Sequence, residues 1–191
     1  ETNDQTLFQV SDPGIYQFFP IEGSLNGVVV TNFGDNHPQM KAPEDMLPPL
    51  QYLTSSAEYK EILAKKNRKE ALDEYWLDLS GSFSAGKEMI RVYYNRVVFA
   101  NLYFSTDQPG WKTDRGMIYL VMGAPDNVNV TETGESWSYK QSGSNQKYTF
   151  EFYLDSDPLL GYRFVLRRTE NHRSLWTLAT QTWRQGKIFS L

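Results

Sequence analysis

Short runs of β-branched and aromatic residues open the chain and predict two strands, over residues 14–19 and 27–33. The stretch Glu22-Gly23-Ser24-Leu25-Asn26, with its glycine, serine and asparagine, predicts a turn between them. Two strands alone are marginally stable in water, so this hairpin must pack on the rest of the protein or on a neighbouring domain. The prolines of residues 34–49 predict a linker after it.

Beyond the linker, apolar residues recur every three or four positions, which predicts helices. Ser55 and Glu58 have the spacing of a capping box at the start of the first helix. Asn67 predicts the start of a second helix, and Ser84 predicts the start of a third that runs to about residue 104. Three helices are therefore expected between the linker and about residue 104.

Residues 117–122 are apolar at both alternating positions, as in a central strand that is covered on both faces. We therefore predict a strand here, with a helix as the alternative, followed by a polar loop over residues 123–134. Three alternating runs come next, and with residues 117–122 they predict an antiparallel sheet of four strands. These runs are residues 137–139, 148–154 and 162–166. A last apolar stripe, residues 175–183, predicts a closing helix, although its threonines also permit a strand.

The predicted fold class is α+β, with an N-terminal β-hairpin, three helices, an antiparallel sheet of about four strands and a closing C-terminal helix. We divide the chain into two parts. Residues 1–45 are predicted to be a β-rich tail of a preceding domain plus a proline-rich linker. Residues 46–191 are predicted to be an α+β domain in which helices and sheet share one core.

Composition and charge narrow the function classes. The formal net charge is −4, so the chain offers no positive surface to a phosphate backbone, and we expect no nucleic acid partner. The absence of cysteine excludes disulfides and thiolate chemistry. The two histidines, His37 and His172, are isolated, so we assign no catalytic residue and expect neither a metal nor a cofactor. No apolar run approaches the roughly 20 residues of a membrane span.

An aromatic anchor, capping-type side chains, a guanidinium and two glycines share one short segment, Gly110-Trp111-Lys112-Thr113-Asp114-Arg115-Gly116. In this segment and in six further stretches, in the same order, the chain resembles the GWxTD domain proteins of bacterial envelopes. Those stretches are residues 50–55, 72–76, 93–101, 123–126, 135–139 and 183–186. The resemblance covers roughly residues 49–191, and residues 1–45 match only loosely. One departure is Ala124, where the family commonly has a second proline.

The resemblance implies a bacterial, exported, Bacteroidetes-type protein in the periplasm or at the outer membrane. It implies no reaction, ligand or partner. It therefore leaves function to be argued from the residues themselves.

Two interpretations of the motif are open. In the structural one, Trp111 fills the gap between helix and sheet, Thr113 or Asp114 caps a turn, and Arg115 pairs with Glu74 or Asp73. The two glycines of the motif allow a tight backbone there. In the functional one, an exposed anchor and charges grip a partner. The candidate binding residues for that second interpretation are Trp111, Asp114, Arg115, Tyr93 and Arg96. We favour the structural interpretation, because an aromatic residue flanked by glycines and caps most often joins two layers of a domain.

Three functions follow from these patterns. We expect first a non-enzymatic protein-interaction or structural module, whose partner is another envelope protein. The alternatives are a carbohydrate-binding module with an aromatic-lined groove and a hydrolase that uses an acidic cleft. A flat apolar patch would favour the first, an exposed coplanar row of rings the second, and a pocket with two facing carboxylates the third.

Overall fold

The computed structural model describes residues 7–20, 27–141, 143, 145–157 and 160–191. Strands β1 (Gly14–Phe18) and β2 (Val28–Asn32) pair antiparallel, which confirms the predicted hairpin. The turn predicted over residues 22–26 lies outside the described residues. The predicted linker is partly helical, since it contains α1 (Pro43–Met46) and leads into a 3₁₀ turn, Pro48–Tyr52.

Three helices follow: α2 (Ser56–Ala64), α3 (Arg68–Ser80) and α4 (Phe83–Phe104). The capping box at α2 is confirmed, because Ser55 Oγ accepts the N–H of Glu58 at 3.3 Å and the Glu58 carboxylate accepts the N–H of Ser55 at 2.7 Å. Asn67 caps α3 as predicted. The start predicted for α4 was two residues late, since Ser82 provides its cap by accepting the N–H of Ala85.

The prediction of a strand at residues 117–122 was wrong, because these residues belong to helix α5 (Asp114–Met122). Ile118, Leu120, Val121 and Met122 are all buried, so the helix is covered on nearly every side. A helix surrounded by protein is apolar at every position, and its sequence then resembles that of a strand buried on both faces.

A four-stranded antiparallel sheet follows, in the order β3 (Asn127–Thr131), β4 (Gly134–Lys140), β5 (Lys147–Asp157) and β6 (Gly161–Leu166). The predicted number of strands is right, but the fourth strand is β3, which lies in the segment predicted to be a polar loop. Helix α6 (Glu170–Arg184) closes the fold, which confirms the predicted C-terminal helix.

One connected apolar core joins the helices to the inner face of the sheet. Its largest fully buried side chains are aromatic: Trp76, Trp183, Tyr93, Tyr139, Phe150 and Phe152. The fold is therefore α+β as predicted. No helix in the described part of the chain is long and apolar enough to cross a membrane.

Candidate functional site

The motif, residues 110–116, forms the junction between α4 and α5. A 3₁₀ turn, Gly110–Lys112, leads to Thr113. The hydroxyl of Thr113 donates to the carbonyl of Gly110 at 2.7 Å and accepts the N–H of Gly116 at 3.0 Å. Thr113 is thus the N-cap of α5, and the predicted capping role falls on it.

The two glycines of the motif allow the backbones to approach closely. A Cβ atom on Gly110 would lie 1.8 Å from the carbonyl oxygen of Ala100, and one on Gly116 would lie 1.8 Å from the carbonyl oxygen of Gly110. Any larger residue at either position would therefore push α4, the 3₁₀ turn and α5 apart. This confirms the role predicted for the glycines.

Trp111 is a buried residue, with 5% of its surface exposed. Its backbone N–H donates to Asn101 Oδ1 at 3.2 Å, and its carbonyl accepts the hydroxyl of Tyr52 at 3.1 Å. The rings of Tyr52 and Trp111 meet edge to face, with their centroids 6.0 Å apart. Burial, and then the nearby carboxylate of Asp114, raises the pKa of Tyr52 to about 12, so its hydroxyl stays a donor.

Asp114 connects α5 to the end of the sheet. One carboxylate oxygen accepts the N–H of Leu166 at 2.8 Å, and the other accepts Nη2 of Arg168 at 2.8 Å. Asp114 also lies in the first turn of α5, where a negative charge interacts favourably with the helix dipole. A single side chain therefore stabilises the helix start and satisfies a backbone donor at the end of β6.

Arg115 pairs with Glu135, which corrects the predicted pairing with Glu74 or Asp73. The Arg115 Nη1 to Glu135 Oε1 distance is 2.9 Å, and only 13% and 12% of the two side chains are exposed. Glu74 and Asp73 instead pair with lysines on the surface. The partner was missed because it lies 20 residues along the chain on β4, beyond the reach of local sequence patterns.

The guanidinium of Arg115 lies against two aromatic rings, 3.9 Å from the centroid of Phe164 and 5.0 Å from that of Phe104. Burial lowers the pKa of Arg115, and the Glu135 carboxylate acts in the opposite direction. Its Nε is buried without a hydrogen-bond partner among the described residues. The charge is thus held in place by packing and by one carboxylate.

The other two candidate binding residues also act within the fold. Tyr93 is fully buried and donates to the carbonyl of Pro49 at 2.7 Å. Arg96 donates to the carbonyls of Leu120 at 3.1 Å and Val121 at 3.2 Å. Its guanidinium therefore caps the C-terminal end of α5. Arg96 also donates to the carbonyl of Phe189 at 3.0 Å, and so connects the last residues of the chain to the core.

Two larger cavities lie at or near the motif, and a smaller one, of about 210 Å³, is lined by its residues 112–115. One, of about 380 Å³, lies between the end of β2, α1 and the motif, and Trp111 and Lys112 form part of its wall. Three carboxylates line it, from Asp35, Glu44 and Asp45. The Asp45 carboxylate already accepts bonds from Asn36 Nδ2 at 3.0 Å and from the N–H of Ala42 at 3.3 Å, as a helix cap does.

The other cavity is a groove of about 480 Å³ between α5, the sheet and α6. Its floor is apolar and its rim carries two arginines; the lining residues include Ile118, Phe150, Leu166, Trp176, Arg168 and Arg173. Asp114 accepts hydrogen bonds from the N–H of Leu166 and from the guanidinium of Arg168. The ring of Tyr52 contacts both Trp111 and Trp176 edge to face, with a centroid distance of 6.2 Å to Trp176. The motif therefore shapes one wall of this groove.

The family model described as the GWxTD domain matches residues 14–185. The chain belongs to the GWxTD domain family. The match includes the β1–β2 hairpin, which by resemblance alone was only loosely similar. No curated protein and no solved structure matches the chain.

Neither histidine of this GWxTD domain faces a hydroxyl or carboxylate in the described contacts. His172 bonds through Nε2 to the backbone carbonyl of Thr149 at 2.8 Å and stacks on Phe150, while its Nδ1 is buried without a partner. His37 packs on Phe33, and burial lowers its pKa. Among the described residues, no group of three histidine or carboxylate side chains could hold a metal ion.

Sequence reasoning missed two residues that hold the motif of this GWxTD domain in place. Asn101 is buried in α4, where its Oδ1 accepts the N–H of Trp111 and its Nδ2 donates to the carbonyl of Pro38 at 3.2 Å. The Glu135 carboxylate accepts hydrogen bonds from the guanidinium of Arg115 and from the indole N–H of Trp137. Both had a detectable signal: each is a polar residue at a position where the helix or strand period requires an apolar one.

Proposed function

We propose that this GWxTD domain is a non-enzymatic protein-interaction module of a bacterial envelope or secreted protein. The observation that supports this most is an exposed apolar stripe on α4. Phe99, Leu102 and Tyr103 are 46%, 57% and 67% exposed. They are spaced i, i+3 and i+4, so they lie together on the side of the helix that faces away from the core.

Contiguous apolar surface of this kind is uncommon on a protein that works alone, because it is costly to keep in water. The rings of Phe99 and Tyr103 lie parallel within 7°, with their centroids 6.0 Å apart, so the stripe presents a preformed surface. Large aromatic side chains with a polar tip are the residues that interfaces use most as anchors. The bacterial, extracytoplasmic setting and an envelope protein as partner rest on the family resemblance.

A carbohydrate-binding module is the second candidate, and the same pair of rings supports it. Sugars stack on exposed aromatic faces. Two parallel rings make only a short row, however, and the third member of the stripe, Leu102, has no aromatic face. We therefore place protein recognition first.

Site-specific photo-crosslinking tests the proposal. A benzophenone amino acid placed at Tyr103 should give one defined polypeptide adduct in cells of the source bacterium. The same group at Lys87, an exposed polar position on the same helix, is the control and should give none. The double variant Phe99→Ala/Leu102→Ala should reduce the adduct at position 103. Equal labelling at both positions would contradict the proposal, and an adduct with glycan rather than polypeptide would favour the second candidate.

A further inference from the structure

The outer edge of β3 is open along its whole length, whereas the opposite edge of the sheet is covered at the end of β6. Among the described residues, β3 pairs with β4 alone. At the other edge, the N–H of Leu166 at the end of β6 donates to Asp114. Open edges carry unpaired backbone donors and acceptors and are the usual place where another strand adds to a sheet.

The register shows which groups face outward. The N–H of Leu154 donates to the carbonyl of Thr133, so the odd-numbered residues of β4 bond to β5 and the even-numbered ones bond to β3. In β3, residues 127, 129 and 131 are opposite those even-numbered residues. The backbone N–H and C=O groups of Val128 and Val130 therefore point to the open side.

The strand has none of the features that usually protect an edge. Asn127–Thr131 contains no charged residue and no proline, and its register with β4 is continuous over these five residues. Only Asp126, directly before them, departs from it, because its N–H also donates to the carbonyl of Ser138, the partner of Asn127. All five residues are exposed, and Val128 and Val130 show 45% and 68% of their surface. A strand with β-branched residues at alternate positions would extend the apolar row that these valines begin.

Charge at the two ends of β3 decides between possible occupants. Asp126 directly precedes the strand and Glu132 directly follows it, and both are exposed. One carboxylate oxygen of Asp126 accepts the N–H of Lys140 at 2.6 Å, which leaves the other oxygen for a partner. A second copy that paired antiparallel about Asn129 would place its own Glu132 opposite Asp126, and like charges directly opposite destabilise a pair of strands. The nearest lysine in the register, Lys140, is one strand further in, on β4. A register shifted by two residues avoids that contact, but it pairs only three residues of each β3 strand instead of five. A second copy is therefore a poor occupant.

We propose that the β3 edge binds an extended segment of another protein, with β-branched residues at alternate positions and a basic residue at each end. This rests on the proposed function and specifies the partner's chemistry. The backbone groups of Val128 and Val130 would bond to the segment, and Asp126 and Glu132 would pair with its two basic ends.

A synthetic heptapeptide provides the probe: acetylated and amidated, in the order lysine, threonine, valine, threonine, valine, threonine, lysine. Added to the ¹⁵N-labelled protein, it should shift the backbone amide signals of Val128 and Val130 most and slow their hydrogen exchange. The matched peptide with glutamate at both ends should bind at least about tenfold more weakly. Added salt should reduce the difference in affinity between the two peptides.

Val130→Pro is the matched variant, because it removes an outward N–H without removing a bond to β4. It should abolish the shifts, while Asn129→Thr, on the inward-bonded position, should keep them. If Val130→Pro disturbs the β4 amide signals, the variant is set aside, and the binding of the two peptides to the unaltered protein tests the proposal. Equal binding of both peptides, or shifts confined to other parts of the protein, would overturn the inference. A defined adduct at Tyr103 with no response at β3 would leave the interaction function standing and refute only the edge.

Discussion

The substitution Glu135→Gln tests whether the Arg115–Glu135 pair holds the motif to the sheet. Glu135 accepts two donors, Arg115 Nη1 at 2.9 Å and the indole N–H of Trp137 at 2.9 Å. Glutamine keeps one acceptor oxygen and replaces the other with an NH₂ group. One of the two donors must then face another donor, and the charge of Arg115 loses its partner.

The position of Arg115 makes this costly. The guanidinium lies between the rings of Phe104 and Phe164, and its side chain is largely out of water, so it cannot turn outward to recover hydration. Removing one partner of a buried ion pair costs about 3–5 kcal/mol. For a chain of this size that corresponds to a fall in melting temperature of roughly 6–20 °C.

Urea unfolding followed by tryptophan fluorescence measures the effect. The control is Glu151→Gln, which breaks the exposed pair of Glu151 and Arg167 at 3.3 Å and should cost less than about 1 kcal/mol. The double variant Arg115→Met/Glu135→Gln should regain most of the lost stability, because no unpaired charge remains. The glutamine oxygen can then accept the hydrogen bond from the indole N–H of Trp137. A loss for Glu135→Gln no larger than that of the control would refute this reasoning.

Three further predictions follow from burial, charge and chain boundaries. Trp111→Ala should destabilise the fold by about 3–5 kcal/mol, the usual cost of deleting a core aromatic, and an unchanged melting temperature with lost binding would overturn the structural interpretation. Hydrogen bonds from Arg184, and then from the N–H of Ser55, lower the pKa of Glu58 from 4.5 to about 2. Because the pKa of Glu58 is lower in the folded than in the unfolded protein, this stabilisation is complete above about pH 4.5 and is lost as the pH falls toward 2. In Glu58→Gln the free energy of unfolding, measured in urea, should therefore change less with pH across that range. A chain that begins at Met46 should stay soluble but lose the bond from Asn101 to Pro38, which lowers its melting temperature by roughly 2–12 °C; insolubility or a much larger fall would place the hairpin in this core.

Features that depend on neighbours in sequence could be predicted well. The capping box at Ser55, the cap at Asn67 and the glycines of the motif each act within a few residues, so their spacing specifies the local structure. The same holds for the burial of Trp111, which follows from its position between two constrained turns.

Features set by distant contacts could not be predicted. Helix α5 is covered by several elements at once, and that removes the polar face by which a helix is recognised. The partner of Arg115 depends on where β4 passes α5, which no local pattern encodes. Strand β3 is exposed on both sides, so its alternation of asparagine and valine differs little from that of a polar loop.

The contacts of the motif also protect part of one edge of the sheet. Asp114 accepts the outward N–H of Leu166, and α5 packs against β6. A sheet with two fully open edges could add strands on both sides, which is the route to edge-to-edge aggregation. Of the two outer strands, β3 is therefore the more open to strand addition, although Tyr162 near the start of β6 is also exposed. The same aspartate that stabilises the start of α5 thus limits where another strand can add to the sheet.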